Sequence, residues 1–124
     1  MEPMVDVTIR MSVPSDKRME VLQTIKSLLD PIRSEQGCLS CYCCVDSEAE
    51  NILVFKQEWK TNEDLAAHLR SDHFSILLGA MKLLSTEPEV RFNTIASTAG
   101  EEAITAVRTP MKPGSMTARG QKKL

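Results

Sequence analysis

Cys38-Leu39-Ser40-Cys41-Tyr42-Cys43-Cys44-Val45-Asp46-Ser47-Glu48-Ala49-Glu50-Asn51-Ile52-Leu53-Val54-Phe55-Lys56-Gln57-Glu58-Trp59 is the stretch on which the fold turns. Two runs of strand-favouring residues, Cys38 to Val45 and Ile52 to Trp59, flank the polar turn Asp46 to Asn51. That is the pattern of an antiparallel hairpin with a longer loop. On its N-terminal side, Val21, Leu22, Ile25, Leu28, Leu29 and Ile32 recur every three or four residues, which predicts an amphipathic helix. Pro31 should kink or end that helix, and Gly37 suits its stop. Further out, Val5 to Val13 alternates apolar and polar residues with the period of a half-buried strand. Pro14-Ser15-Asp16 ends the strand and offers a helix cap.

On the C-terminal side of the hairpin, Thr61 or Asn62 can cap a helix whose first turn carries Glu63 and Asp64. Leu65 and Leu69 mark its apolar side. Ser71-Asp72 looks like a second cap, so a break is expected there. Phe74, Leu77, Leu78, Met81 and Leu84 then form one stripe, ended by Thr86-Glu87-Pro88. Val90 to Ala96 alternates again, with Val90, Phe92, Thr94 and Ala96 on one face. The order β-α-β-β-α-β is the ferredoxin-like α+β arrangement, an antiparallel sheet with its helices on one face. Ala103 to Val107 could add a fifth short strand. The chain divides into a folded domain, residues 1–107, and a basic tail, residues 108–124.

The helices can cover only one side of that sheet, yet the hairpin is apolar on both. Leu53, Phe55 and Trp59 lie on one face and Ile52 and Val54 on the other. Leu39, Cys41, Cys43 and Val45 are expected to oppose Cys38, Tyr42 and Cys44. An uncovered apolar face is avoided by soluble monomers, which points to a homodimer with two sheets face to face. A monomer whose tail folds back over the sheet is the alternative.

Composition narrows the function classes. The 124 residues are 42% hydrophobic and 26% charged, the balance of a globular domain. The longest apolar run, Ile76 to Met81, is far short of the roughly 20 residues of a spanning helix, so no membrane association is expected. Met1 to Arg10 shows no apolar leader core, which leads to the expectation of a cytoplasmic protein. The net charge of −2 is uneven. The tail holds Arg108, Lys112, Arg119, Lys122 and Lys123 with no acid, leaving a strongly acidic body that suits phosphate backbones poorly. Nucleic acid is therefore not an expected partner.

The segment Pro31-Ile32-Arg33-Ser34-Glu35-Gln36-Gly37-Cys38-Leu39-Ser40, then Phe55-Lys56-Gln57-Glu58-Trp59, then Asn62 through His68 to Ser71-Asp72-His73-Phe74, resembles the antibiotic biosynthesis monooxygenase domain family over about residues 5 to 96. The resemblance implies a dimeric α+β barrel of ferredoxin-like subunits. It implies chemistry drawn from a set that includes cofactor-free oxygenases of quinols and anthrones, haem-degrading enzymes and a sugar-phosphate isomerase. The haem-degrading members carry a haem-ligating His at about the place of Leu77 and an Asn in the first strand. Neither is present here. No Gly-rich phosphate loop for flavin or nicotinamide is visible either, so no cofactor is expected.

The candidate site residues follow. Trp59, at a strand end beside a helix cap, can wall a pocket for an aromatic substrate and donate its indole N–H, or it is a core aromatic. His68 and His73 are the only histidines. Five positions apart on an unbroken helix they would diverge by about 140°, so no metal site is expected. Singly, His68, near the apolar side of its helix, can accept a proton from a phenol or quinol. Phe55 is a second wall or core residue. Tyr42, Asn62 and His73 are candidate hydrogen-bond partners for a substrate oxygen. Cys38 and Cys41, on an extended strand, are expected to face opposite ways, which suits small packing thiols better than a metal or redox motif.

The reading is a cofactor-free monooxygenase acting on a small electron-rich aromatic with O₂, with His68 and Trp59 catalytic. The alternative is a ligand-binding or stress-associated dimer of the same fold without turnover. A thiol sensor is a third. A pocket lined by His68 and Trp59 and open to solvent would favour the enzyme.

Overall fold

The computed structural model describes residues 3–109. The expected loose tail falls largely on residues 110–124, outside the described residues. The elements are β1 (Met4–Ser12), α1 (Arg18–Arg33), β2 (Cys38–Asp46), β3 (Ala49–Trp59), α2 (Asn62–Leu69), α3 (Asp72–Met81), β4 (Glu89–Ile95) and α4 (Glu101–Arg108). The strands form one sheet in the order β2-β3-β1-β4, with every neighbouring pair antiparallel. This is the ferredoxin-like topology expected from the element order.

Alternation in β1 sends Val5, Val7, Ile9 and Met11 to the helix-covered side, where they are buried. The register pairs them with Trp59, Gln57, Phe55 and Leu53 of β3, since directly opposed residues share a face. Val21, Ile25, Leu28 and Ile32 of α1 close over this layer. A single 3-10 turn, Ser15–Lys17, precedes α1, so Ser15 and Asp16 do not cap it as expected. Pro31 lies inside the last turn of α1, and the helix ends two residues later. Gly37 then takes φ +82, the left-handed region in which a side chain is strained, and a Cβ there would run into the carboxyl group of Asp64. The Gly37 carbonyl accepts the Lys60 N–H at 2.8 Å, which ties the start of β2 to the end of β3.

Four local expectations are corrected. First, the hairpin turn is tight rather than long: β2 ends at Asp46, β3 begins at Ala49, and the Asp46 carboxylate accepts the Glu48 N–H at 2.8 Å. Second, a bulge inserts Leu39 between the pairs Cys38–Trp59 and Ser40–Glu58. One extra residue reverses the alternation, so Cys38 lies on the same face as Cys41 and Cys43, not opposite them. Third, residues 101–108 form a helix rather than a fifth strand. Glu101 and Glu102 in its first turn and Arg108 in its last complement the helix dipole.

The fourth correction concerns the open face. Ile52, Val54 and Tyr42 do lie there, but β1 and β4 contribute Asp6, Thr8, Arg10, Arg91 and Asn93 to the same side. The face is mixed, and its apolar part is confined to the hairpin. The hairpin alone therefore overstates the apolar area. On the helix side, conversely, the helices stop short of the β4 edge, and Val90 and Phe92 remain about half exposed. Among the described residues no helix is long and apolar enough to cross a membrane.

Candidate functional site

Two separate caps build the site. Thr61 accepts the Asp64 N–H at 3.1 Å and starts α2, and Ser71 accepts the Phe74 N–H at 3.3 Å and starts α3. Each hydroxyl satisfies one of the orphan donors of a helix start. The break at Arg70–Ser71 removes the premise that His68 and His73 ride on one continuous helix. Both turn toward one carboxylate instead. His68 Nδ1 lies 3.0 and 3.1 Å from the Glu35 oxygens, and His73 Nδ1 lies 2.8 Å from Glu35 Oε2.

His68 has no exposed surface, and its ring stacks on Trp59 with centroids 4.6 Å apart and planes at 25°. Phe74 meets it edge-on at 5.5 Å. The Trp59 indole N–H donates to Gln57 Oε1 at 2.9 Å. Among the described residues, two polar atoms of this buried cluster, His68 Nε2 and Gln57 Nε2, have no partner. Buried polar atoms are nearly always satisfied, so such orphans call for an explanation.

The chemistry of His68 follows from these contacts. A carboxylate only accepts hydrogen bonds, so Nδ1 must carry the proton and Nε2 presents a lone pair. Burial lowers the pKa of His68, the hydrogen bond to Glu35 and that carboxylate's charge oppose the fall, and His73 adds a smaller lowering. The net direction is downward from 6.5, which keeps the ring neutral near pH 7. A neutral imidazole held by a carboxylate, with a free Nε2, has the form of a general base.

The expected site residues separate into two groups. His68, Trp59 and His73 come together. Phe55 lies buried on the same face of the sheet, two residues before Gln57. Tyr42, on the open face and 42% exposed, is on the wrong side of the sheet to join them. Asn62 is exposed in the first turn of α2, outside the buried cluster, and the cap beside it is Thr61. His68 and Trp59 are both fully buried, and the clefts on the open sheet face and beside α3 are lined by other residues. The expected solvent-open pocket at those residues is therefore not present in the single chain.

Sequence reasoning missed Glu35 and Gln57. Gln57 carried a signal: it is the polar residue in the inward series Leu53, Phe55, Gln57, Trp59. Glu35 sits in the irregular turn after α1, where no periodicity marks it. The cysteines do not join the site chemically. Burial pushes the Cys41 thiol up to about 12 and Cys43 to about 11, and raises Cys38 as well. Such thiols are protonated near neutrality and weakly nucleophilic. Among the described residues no cluster of three or more groups has the geometry to hold a metal ion.

Residues 4–76 match the family model described as antibiotic biosynthesis monooxygenase. The chain is 28% identical over 87 residues to the uncharacterized protein sll1783 of Synechocystis, a match covering 69% of this chain and 59% of that protein. The chain thus spans about three fifths of the length of that curated relative. Among solved structures, a conserved protein from Methanosarcina mazei is similar at 29% identity and TM-score 0.71, covering 74% of this chain and 92% of its own. Rv0793 from Mycobacterium tuberculosis shares the fold at TM-score 0.72 and 21% identity, covering 78% of this chain and 99% of its own.

Proposed function

Since the chain belongs to the antibiotic biosynthesis monooxygenase family, we propose that it is a cofactor-independent oxygenase that oxidises a small electron-rich aromatic, of quinol or anthrone type, with O₂. The observation that carries this reading is His68, neutral and buried, with Nδ1 fixed by Glu35 and Nε2 left free. In the proposed reaction His68 Nε2 accepts the acidic proton of the substrate. The resulting anion passes one electron to O₂, and the radical pair recombines through a new C–O bond to give a peroxide. Loss of water from a peroxide at an anthrone-type CH₂ leaves a carbonyl. One oxygen atom enters the product and the other leaves as water, so no outside reductant is needed.

The remaining residues have definite parts. Trp59 offers a flat face to the imidazole, and an apolar enclosure strengthens every electrostatic contact inside it. The unpartnered Gln57 Nε2 is a donor for the developing oxyanion. Glu35 holds the tautomer and balances the imidazolium once it forms. His68 is enclosed, so substrate entry requires the α2–α3 segment to part from the sheet, and the break at Arg70–Ser71 is the natural hinge. Oxygen uptake across a panel of quinols and anthrones tests the proposal. His68→Ala should lower turnover about 100- to 10,000-fold. Uptake unchanged in that variant would remove His68 as the base.

We also propose a homodimer formed through the open sheet face, where Ile52, Val54 and Tyr42 supply the apolar part of the contact. Sedimentation should give twice the chain mass, and a single-subunit mass at micromolar concentration would refute it. The second reading, a ligand-binding or structural protein without turnover, draws on the complete burial of His68 and Trp59. It expects quinol analogues to bind, or to be ignored, with no oxygen consumed.

A further inference from the structure

Glu35 serves two imidazoles, and only one of them has a part in the proposed reaction. Its Oε1 lies 3.0 Å from His68 Nδ1, and its Oε2 lies 2.8 Å from His73 Nδ1. A carboxylate only accepts hydrogen bonds, so both rings present Nδ1–H to it. The two rings differ in their access to water. The His68 side chain is fully buried, whereas that of His73 is 37% exposed. His73 is thus where this cluster meets solvent.

An imidazole that water reaches can take up a proton between about pH 5 and 8. On His73 that proton lands against the same carboxylate that must balance the His68 imidazolium. A cation there neutralises Glu35 and repels a second cation on His68. Among the described residues Glu35 is the only acid within ion-pair distance of either ring. The other ionisable groups nearby are few. Arg70 and Asp72 flank the two rings in the chain. On α1, which packs against α3, Asp30 and Arg33 pair with each other at 3.2 Å. The Cys38 thiol, at the start of β2, is kept protonated by burial and by the Glu35 charge. No second carboxylate therefore stands ready to take over the part of Glu35 when His73 is charged.

We propose that His73 is a positioning residue that regulates the strength of the base: neutral, it leaves the charge of Glu35 to the His68 imidazolium, and protonated, it claims that charge and weakens His68. It acts through Glu35 rather than on a substrate oxygen. Its catalytic consequence rests on the reading of His68 as the general base. The proton on His73 comes from water and returns to it, so no further reactant is involved. Burial cuts His68 off from solvent, and the shared carboxylate restores a link between the enclosed base and the outside pH. The exposed ring takes the first proton, because charging the buried one costs desolvation.

An NMR titration of the full chain, read on the His68 imidazole, tests this without any turnover. His73→Gln places a neutral side chain there at every pH. It should raise the His68 midpoint by about one pH unit, the scale on which neighbouring sites titrate as a pair. His73→Arg is charged throughout and should leave the midpoint at or below that of the parent. Oxygen uptake gives the catalytic readout. On acidification kcat/KM of the parent should fall in two steps, first as His73 protonates and then as His68 does. Each variant should show one step, with His73→Arg starting from the lower level. Unchanged Trp59 fluorescence above neutrality shows that each variant has folded. The proposal is overturned if His73→Gln leaves the His68 midpoint in place, or if His73→Arg raises it as His73→Gln does, since a purely structural contact would be lost in both. A chain whose His68 titrates as expected, but which consumes no oxygen with any quinol or anthrone, would support the coupling and sink the oxygenase reading alone.

Discussion

The two faces of the sheet solve opposite problems with the same strands. The helix-covered face is apolar almost throughout, and its few polar groups gather around Trp59: Gln57 accepts the indole N–H, and His68 stacks on the ring while its Nδ1 meets Glu35. The open face is a field of charges of both signs: Arg10 pairs with Asp46, while Asp6 and Glu58 accept hydrogen bonds from the neutral side chains of Asn93 and Ser40. Alternation along β1 and β3 writes both at once: each inward Val7 or Phe55 is followed by an outward Thr8 or Lys56. An unsatisfied polar atom is costly where water is excluded and nearly free where water reaches. The orphans beside Trp59 therefore carry more functional information per atom than the loose charges opposite.

The largest effect that should separate the faces is on stability. Trp59→Ala removes a fully buried indole, its stack with His68 and the hydrogen bond to Gln57, and should cost about 3–5 kcal/mol in urea unfolding. Lys56→Ala, on the same strand but pointing outward, should stay within about 0.5 kcal/mol. Equal losses would mean that the open face is packed as tightly as the helix side, and the contrast would fail.

How far the sequence revealed each face follows the same physics. The inward series of β1 and the stripe of α1 are strict periodic signals, and with the hairpin and the C-terminal helix and strand patterns they carried the β-α-β-β-α-β element order. The bulge at Leu39 has no periodic signature, and it alone inverted the reading of Cys38 against Cys41. The open face was misjudged because Ile52 and Val54 were weighed without the outward residues of β1 and β4, which only the register brings beside them. The meeting of His68 and His73 on Glu35 depends on where α2 stops and α3 restarts. Ser71 announced that break, but its angle lay in tertiary packing.

A smaller effect should appear with pH. The folded state holds the His68 pKa below 6.5, so between that value and the depressed one the unfolded chain binds more protons. The contribution of His68 to stability is therefore present in full above pH 6.5 and declines as the pH falls through the window below it. Urea midpoints taken from pH 7.5 to 5 should drop for the parent and drop less for His68→Gln. Parallel curves for the two proteins would show that His68 titrates as freely folded as unfolded, against its burial.

The smallest change in stability sharpens the contrast most. Gln57→Leu deletes the acceptor of the Trp59 indole, which should cost about 1–3 kcal/mol for a buried donor left unpaired. It also deletes Gln57 Nε2, itself buried and unpaired, which relieves a penalty of about the same size, and it adds apolar contact. The two should offset to within about 1 kcal/mol. A leucine would then serve packing as well as glutamine does, and the amide must be kept for a task that packing does not explain. If that task is to donate to a developing oxyanion, Gln57→Leu should lower oxygen uptake about 100-fold while leaving the urea midpoint nearly in place. A loss of stability above about 2 kcal/mol with turnover unchanged would assign the amide to holding Trp59 alone, and would shift the balance toward the reading in which this buried cluster is structural.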